Sequence, residues 1–313
     1  MINGNIYLKG YGDASFKSED LDEMIQDLKA SGIKEVTGNV CGDDTYFDKE
    51  YYRHEWMENV EYEGELPLIS ALVLDYNRIK TEVTWRGRKS YREEKILNPP
   101  LQIAEIFYKK LIAAGIEVKG KAAEGAIPAG SVLLSEFYSP IMELLRRVNK
   151  NSDNFYAETV FKILGAVSTG QQGTAINSYQ ALYSCLKGLG INMKGSSIVD
   201  GSGLSKSNYV TAETLGDLLK AVYLDLDIYE WYYKTLTIAG VDGTLGKRMK
   251  GTAGENNFRG KTGTLNGVSS LSGYMQSKRG SDLILVMIFN YSTYNWTYYR
   301  KLKDEIVDAA ADY

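Results

Sequence analysis

The chain has 313 residues, 44% hydrophobic and 24% charged, with five prolines spread along it; this excludes a disordered or fibrous protein and leaves enough length for two cores. A formal net charge of -4, with no Lys/Arg stripe interleaved with aromatics, excludes the electrostatic field that would gather nucleic acid. Cys41 and Cys185 stand far apart at no metal or redox spacing, so no disulfide framework, metal site or cofactor is expected.

In chain order, Ser18 is placed to cap a helix with Leu21, Met24, Ile25 and Leu28 at helical spacing and Gly32 at its end. A strand is expected over residues 35–40, then a turn at Gly42-Asp43-Asp44, then a helix opened by Pro99-Pro100 and closed by Gly115. Between Trp85 and Asn98 the sequence reads as a short polar link. From Ser139-Pro140 the texture changes to longer amphipathic helices, one carrying Ile141, Leu144, Leu145 and Val148, the next Ala157, Val160, Phe161 and Leu164. A domain boundary is therefore expected near residue 137, giving an α+β module over 1–137 and a second domain over 138–313. The polar run 149–154 interrupts the period and puts Ser152 to Asn154 on a tight helix–helix corner with outward side chains.

Two further helices follow, one over 176–186 stopped by Gly188, the other capped by Thr211 with Leu215, Leu218, Leu219 and Val222 on one face. Residues 258–262, 268–276 and 283–291 read as three strands joined as antiparallel hairpins, followed by a closing helix over about 296–310. The apolar run 283–289 is too short to span a bilayer, and Met1-Ile2-Asn3-Gly4 has neither a basic nor an apolar region of an export signal. The 24 tyrosines are read mainly as packing residues.

Ser-x-x-Lys, Ser-Asp-Asn and Lys-Thr-Gly form the signature set of active-site serine enzymes that react with β-lactams. Ser152-Asp153-Asn154 stands at the helix–helix corner and Lys261-Thr262-Gly263 on the first of the three C-terminal strands, the context each motif requires. Alone, each tripeptide is common, and Ser152 and Asn154 also read as ordinary capping residues. The flanks add specificity: residues 144–151 before the first motif, "DGSGLS" at Asp200 to Ser205, "AGVDGTLGKRM" at Ala239 to Met249 and "GKTGTLNGVSSLSGY" at Gly260 to Tyr274. Together with "GNIYLKGYGDASF" at Gly4 to Phe16 and "GIKEVTGNVCGDDTYFD" at Gly32 to Asp48, they resemble the D-alanyl-D-alanine carboxypeptidase/endopeptidase family, the class C low-molecular-mass penicillin-binding proteins. The resemblance runs nearly end to end.

It implies an α+β fold: a penicillin-binding-protein/β-lactamase-like transpeptidase domain, an antiparallel sheet with helices, partial in 138–313 and lacking the family's N-terminal strands, plus an inserted α+β domain in 1–137. The short link after Trp85 implies that a further inserted domain of larger members is absent. It also implies that Ser152 relays a proton to the leaving D-alanine, that Asn154 holds the substrate amide and the nucleophile's lysine, and that Lys261 keeps the field positive. Thr262 and Thr264 would bind the terminal carboxylate, and the N–H at Thr264 would supply half of an oxyanion hole beside Gly263. Asp200 and Ser202 read instead as an Asx-type turn in a glycine-rich loop. The implied partners are peptidoglycan stem peptides ending in D-Ala-D-Ala, and the implied location is the periplasm or cell envelope.

The family's nucleophilic Ser-x-x-Lys would precede residue 1. Ser31-Gly32-Ile33-Lys34 and Ser184-Cys185-Leu186-Lys187 match the pattern, but the reaction needs serine at a helix N-terminus with lysine one turn on. Ser31 is read at a helix end and Ser184 in a last turn, so neither is expected to act, and β-lactams are expected to react only if the segment is supplied. Without those strands, residues 283–289 present an open sheet edge, expected to pair with a partner chain, a second copy or residues 1–9. Two functions are thus in view: a serine D,D-carboxypeptidase/endopeptidase inactive as this chain alone, or a non-catalytic muropeptide-binding or interaction protein derived from that family.

Overall fold

A computed structural model describes residues 1–53, 56, 66–86, 88–292 and 295–313. They fall into two units, one of Met1–Arg53, Leu66–Pro140 and Glu158–Ser178, the other of Trp56, Ile141–Ala157 and Tyr179–Tyr313. The chain crosses between them more than once: Trp56 lies in the second unit between Arg53 and Leu66 of the first, and the chain passes to the second after Pro140, returns for Glu158–Ser178 and passes again at Tyr179.

In the first unit, β1 (Ile6–Lys9), α1 (Ser18–Ala30), β2 (Glu35–Val36) and β3 (Val40–Asp43) are followed by the hairpin β4 (Arg78–Trp85) and β5 (Arg88–Lys95). Then come α2 (Pro99–Ala113), β6 (Glu117–Val118) and β7 (Ala122–Glu124). Parallel pairing gives a three-stranded sheet β1-β3-β7 and a two-stranded sheet β2-β6. Leu21, Ile25 and Leu28 of α1 and Ile103, Phe107 and Leu111 of α2 meet Ile6, Leu8, Val36 and Val40 in one apolar cluster. Each such side chain contributes about 1.5–3 kcal/mol on burial.

Local expectations change here. Lys17, not Ser18, is the N-cap of α1; its N–H donates to Asp20, while the Ser18 hydroxyl donates to Asp75 Oδ2 at 2.5 Å. The expected strand over 35–40 is two strands parted at Gly38, whose N–H donates to Gly4 O at 2.8 Å and where a Cβ would lie 2.5 Å from the Gly4 carbonyl carbon. Gly42 and Asp43 are not a turn but the end of β3, because a buried Asp43 accepts from the N–H groups of Thr45 and Ile127. The polar link after Trp85 is the β4–β5 hairpin, residue 87 lying outside the described residues.

In the second unit, α3 (Ile141–Asn151) runs into α4 (Asn154–Thr169), whose later turns belong to the first unit, and α5 (Ala175–Gly188). They are followed by α6 (Ala212–Leu224), α7 (Leu226–Thr235), β8 (Thr237–Ile238), β9 (Arg259–Leu265), β10 (Val268–Gln276), β11 (Asp282–Asn290) and α8 (Trp296–Asp312). The sheet is antiparallel in the order β11-β10-β9-β8. A two-residue turn, Asn266-Gly267, joins β9 to β10, with Gly267 at φ +82° in the left-handed region that favours glycine. Alternation along β10 sends Leu271 and Met275 to one face, against Val307 and Ala311 of α8, and Tyr274 to the other, against Leu219 of α6. Among the described residues β11 pairs only with β10. Residues 1–9 do not cover it: Ile2 bridges Val36 and Ile6–Lys9 pairs with Val40–Asp43. No helix among the described residues is long and apolar enough to cross a membrane.

Candidate functional site

The corner between α3 and α4 is as the sequence indicates, and its conformation is unusual. Ser152 lies at φ +56°, a left-handed backbone that costs a non-glycine residue of order 1 kcal/mol. Asp153 is spent on the fold: its Oδ1 accepts from the N–H groups of Phe155 and Tyr156 at 3.1 and 3.3 Å, capping α4, and its Oδ2 accepts from Arg147 at 3.1 Å. The left-handed turn keeps Ser152 half-buried instead of outward. Its hydroxyl meets Lys261.

Lys261 Nζ donates to Ser152 Oγ at 2.6 Å and to the Thr262 carbonyl at 2.8 Å. Burial lowers its ammonium to about 8. Lys261 sits on β9 opposite Ser272, so alternation puts Lys261 and Gly263 on one face and Thr262 and Thr264 on the other. β8 pairs with Gly260 and Arg259 only; beyond them the outer edge of β9 has no strand partner among the described residues, which leaves backbone donors and acceptors for a ligand. Thr264 is exposed, and Thr262 donates to Thr244 Oγ1 at 2.9 Å. At Gly263 a Cβ would lie 2.3 Å from Ser270 Oγ, so a side chain there would displace that hydroxyl.

Asn154 Nδ2 donates to the Ser202 carbonyl at 2.7 Å. That carbonyl is presented by a loop built on buried Asp200, which accepts from Gly203 N, Ser205 N, Asn208 Nδ2 and the Trp56 indole at 2.8 to 2.9 Å. Asp200 is thus the hub of an Asx-type loop, as its glycine-rich surroundings indicate.

A second turn was not legible as part of the site. Asp242 pairs with Lys150, two residues before Ser152, and accepts from Ile238 N at 2.9 Å. Next to it Gly243, at φ +56°, leaves a Cβ position only 2.6 Å from Lys150 O, and Thr244 reaches Thr262. One turn therefore ties the corner bearing Ser152 to the strand bearing Lys261. The run "AGVDGTLGKRM" was the available signal, but nothing in its residue types announces which atoms it would join. The two Ser-x-x-Lys matches have the wrong context: Ser31 is the C-cap of α1 with Gly32 at φ +77°, and Ser184 and Lys187 are exposed near the end of α5.

The sequence model of a family described as D-Ala-D-Ala carboxypeptidase 3 (S13) matches residues 1–96 and 86–312. A D-alanyl-D-alanine carboxypeptidase of an Actinomadura species is 30% identical over 88% of this chain, which spans 64% of that relative's length. The D-alanyl-D-alanine carboxypeptidase DacB of Haemophilus influenzae is 25% identical over 93% of this chain and 73% of its own. In fold, the chain is similar to the crystal structure of penicillin binding protein 4 from Haemophilus influenzae, with a TM-score of 0.84 and 23% identity, covering 97% of this chain and 82% of that one.

Proposed function

Because the chain belongs to the D-Ala-D-Ala carboxypeptidase 3 (S13) family, we propose that it serves a serine-type D-Ala-D-Ala carboxypeptidase/endopeptidase of peptidoglycan maturation in the cell envelope. The observation that carries this reading is the 2.6 Å hydrogen bond from Lys261 to Ser152, which joins motifs 109 residues apart in sequence. In the reaction a serine attacks the penultimate D-alanine carbonyl and the proton must travel to the leaving amine. Ser152, bridging to a lysine that titrates near 8, is suited to hand on that proton. Asn154 orients the substrate amide through its side-chain amide. Thr262 and Thr264 address the terminal carboxylate from one face of β9, with Lys261 supplying positive charge across the edge, and the Thr264 N–H faces the developing oxyanion.

Neither Ser-x-x-Lys in these residues has the helix N-terminus that activates a nucleophile, so residues 1–313 taken alone bind peptide without acylating. A second reading is a non-catalytic muropeptide-binding or interaction protein, in which the site built on Lys261 and Ser152 holds peptide and no acylation follows. β11, with one edge unpaired among the described residues, is where we expect a further strand, from a partner or a second copy, to add. A titration with a D-Ala-D-Ala peptide tests the site. Binding should weaken at least about tenfold in Lys261→Ala, the worth of one charge-assisted contact; equal affinity in that variant rules the assignment out.

A further inference from the structure

Among the 24 tyrosines, five meet where α6, α7 and the sheet come together, and four of them, Tyr223, Tyr229, Tyr233 and Tyr274, line one cavity. Tyr274 of β10 is the centre: Tyr229 and Tyr233 meet its ring edge-to-face at 5.3 and 6.0 Å, and Tyr223 stacks on it at 6.4 Å. The rings wall an open cavity of about 340 Å³, at the small end of the roughly 300–1,000 Å³ of small-ligand sites. Ordinary packing accounts for two of the four hydroxyls, since Tyr274 donates to Leu219 O at 2.8 Å and Tyr223 to Asp282 at 2.5 Å. The hydroxyls of Tyr229 and Tyr233 have no hydrogen-bond partner among the described residues, and burial holds Tyr229 at about 12, so it remains a neutral donor.

Arg259 completes the cavity. Its guanidinium lies 4.7 Å over the Tyr233 ring and meets no carboxylate among the described residues. Asp282, the one carboxylate in the lining, is already held by Tyr223 and by Gln276 Nε2 at 3.1 Å. The cavity thus offers a cation without a direct ion-pair partner on an aromatic wall, with two hydroxyls beside it and one carboxylate, Asp282, in the same lining. A single arginine next to an acidic residue does not suit a multiply charged nucleotide; it suits a ring that carries one carboxylate.

We propose that this pocket is a second binding site, for a carboxylate-bearing sugar whose ring lies on the tyrosines and whose carboxylate pairs with Arg259. The proposal rests on the peptidoglycan reading above, under which the ligand is an N-acetylmuramic acid unit with its lactyl carboxylate free, in glycan that carries no stem peptide there. Arg259 precedes Lys261 by two residues on the same face of β9, so the sugar site and the peptide site share one strand.

Calorimetric titration of the chain with N-acetylmuramic acid and with N-acetylglucosamine tests it, the second sugar having the same ring without the carboxylate. The acid should bind roughly tenfold tighter than its neutral counterpart, and Arg259→Gln and Tyr233→Leu should each cost a similar factor. Arg259→Lys should recover part of the loss, which a folding defect would not. Equal binding of the two sugars, no binding of either, competition by lactate as strong as by the acid, or an unchanged Arg259→Gln would each overturn the proposal. The D-Ala-D-Ala peptide is titrated into the same samples. Peptide binding lost with sugar binding kept would overturn the peptidase reading alone, and the reverse result would overturn this pocket alone.

Discussion

Ser152 combines a left-handed backbone with a hydroxyl bound to Lys261, and two substitutions separate these features. Ser152→Ala loses the hydrogen bond and keeps the strain; Ser152→Gly loses the bond and relieves the strain. Urea unfolding should therefore find the alanine variant less stable than the glycine variant by about 1 kcal/mol; the reverse order would show that the φ is not retained in solution. Lys261 gives a pH signature. Burial lowers it to about 8, so its positive charge is present below that pH and is lost as pH rises through it. Affinity for a D-Ala-D-Ala peptide should fall across this range, while Lys261→Arg, charged throughout, should give a flat profile; parallel profiles would remove lysine titration as the cause. The linked effect on stability has the opposite sense: a buried ammonium penalises the fold below about 8, and the penalty lifts toward the unfolded value near 10.4.

At the scale of elements, what could be read from the sequence followed from how each element is buried. The corner at 152–154 and β9 to β11 were legible because polar interruptions and period-two alternation mark them. The β4–β5 hairpin was not: β4 alternates Ile79, Thr81 and Val83 with charged residues, but β5 is exposed and charged on both faces and writes no alternation, so the segment after Trp85 carries only a polar signal. α7 packs mostly through tyrosines, which serve helices and strands alike, and β8 is two residues long, too short for any period. β2 and β3 merged in the reading because Val36 and Val40 flank a glycine whose role is a backbone contact with Gly4, distant in sequence. β11 carries a prediction. Hydrogen exchange of its outward N–H groups should be slow if a second strand covers them, with a concentration-dependent mass if that strand comes from another copy. Rapid exchange in a monomer would remove the added strand.

For the whole molecule, the units carry separate cores, and every residue proposed to act on peptide belongs to the second. Fluorescent penicillin incubated with residues 1–313 should leave no covalent label, because neither Ser-x-x-Lys within them stands at a helix N-terminus and the other groups of the site do not replace a nucleophile; a stable adduct, located by mass spectrometry, would reassign the reactive serine. The turn Asn266-Gly267 sets a further constraint, one of heredity more than chemistry. It holds Lys261 opposite Ser272, and a slip of one position would exchange the two faces of β9. Losing a single codon there would point Thr262 where Lys261 now points, with every motif letter still in place. A descendant gene that passes a motif search but is one residue longer or shorter between Lys261 and Ser272 should then be counted among those that have lost the site.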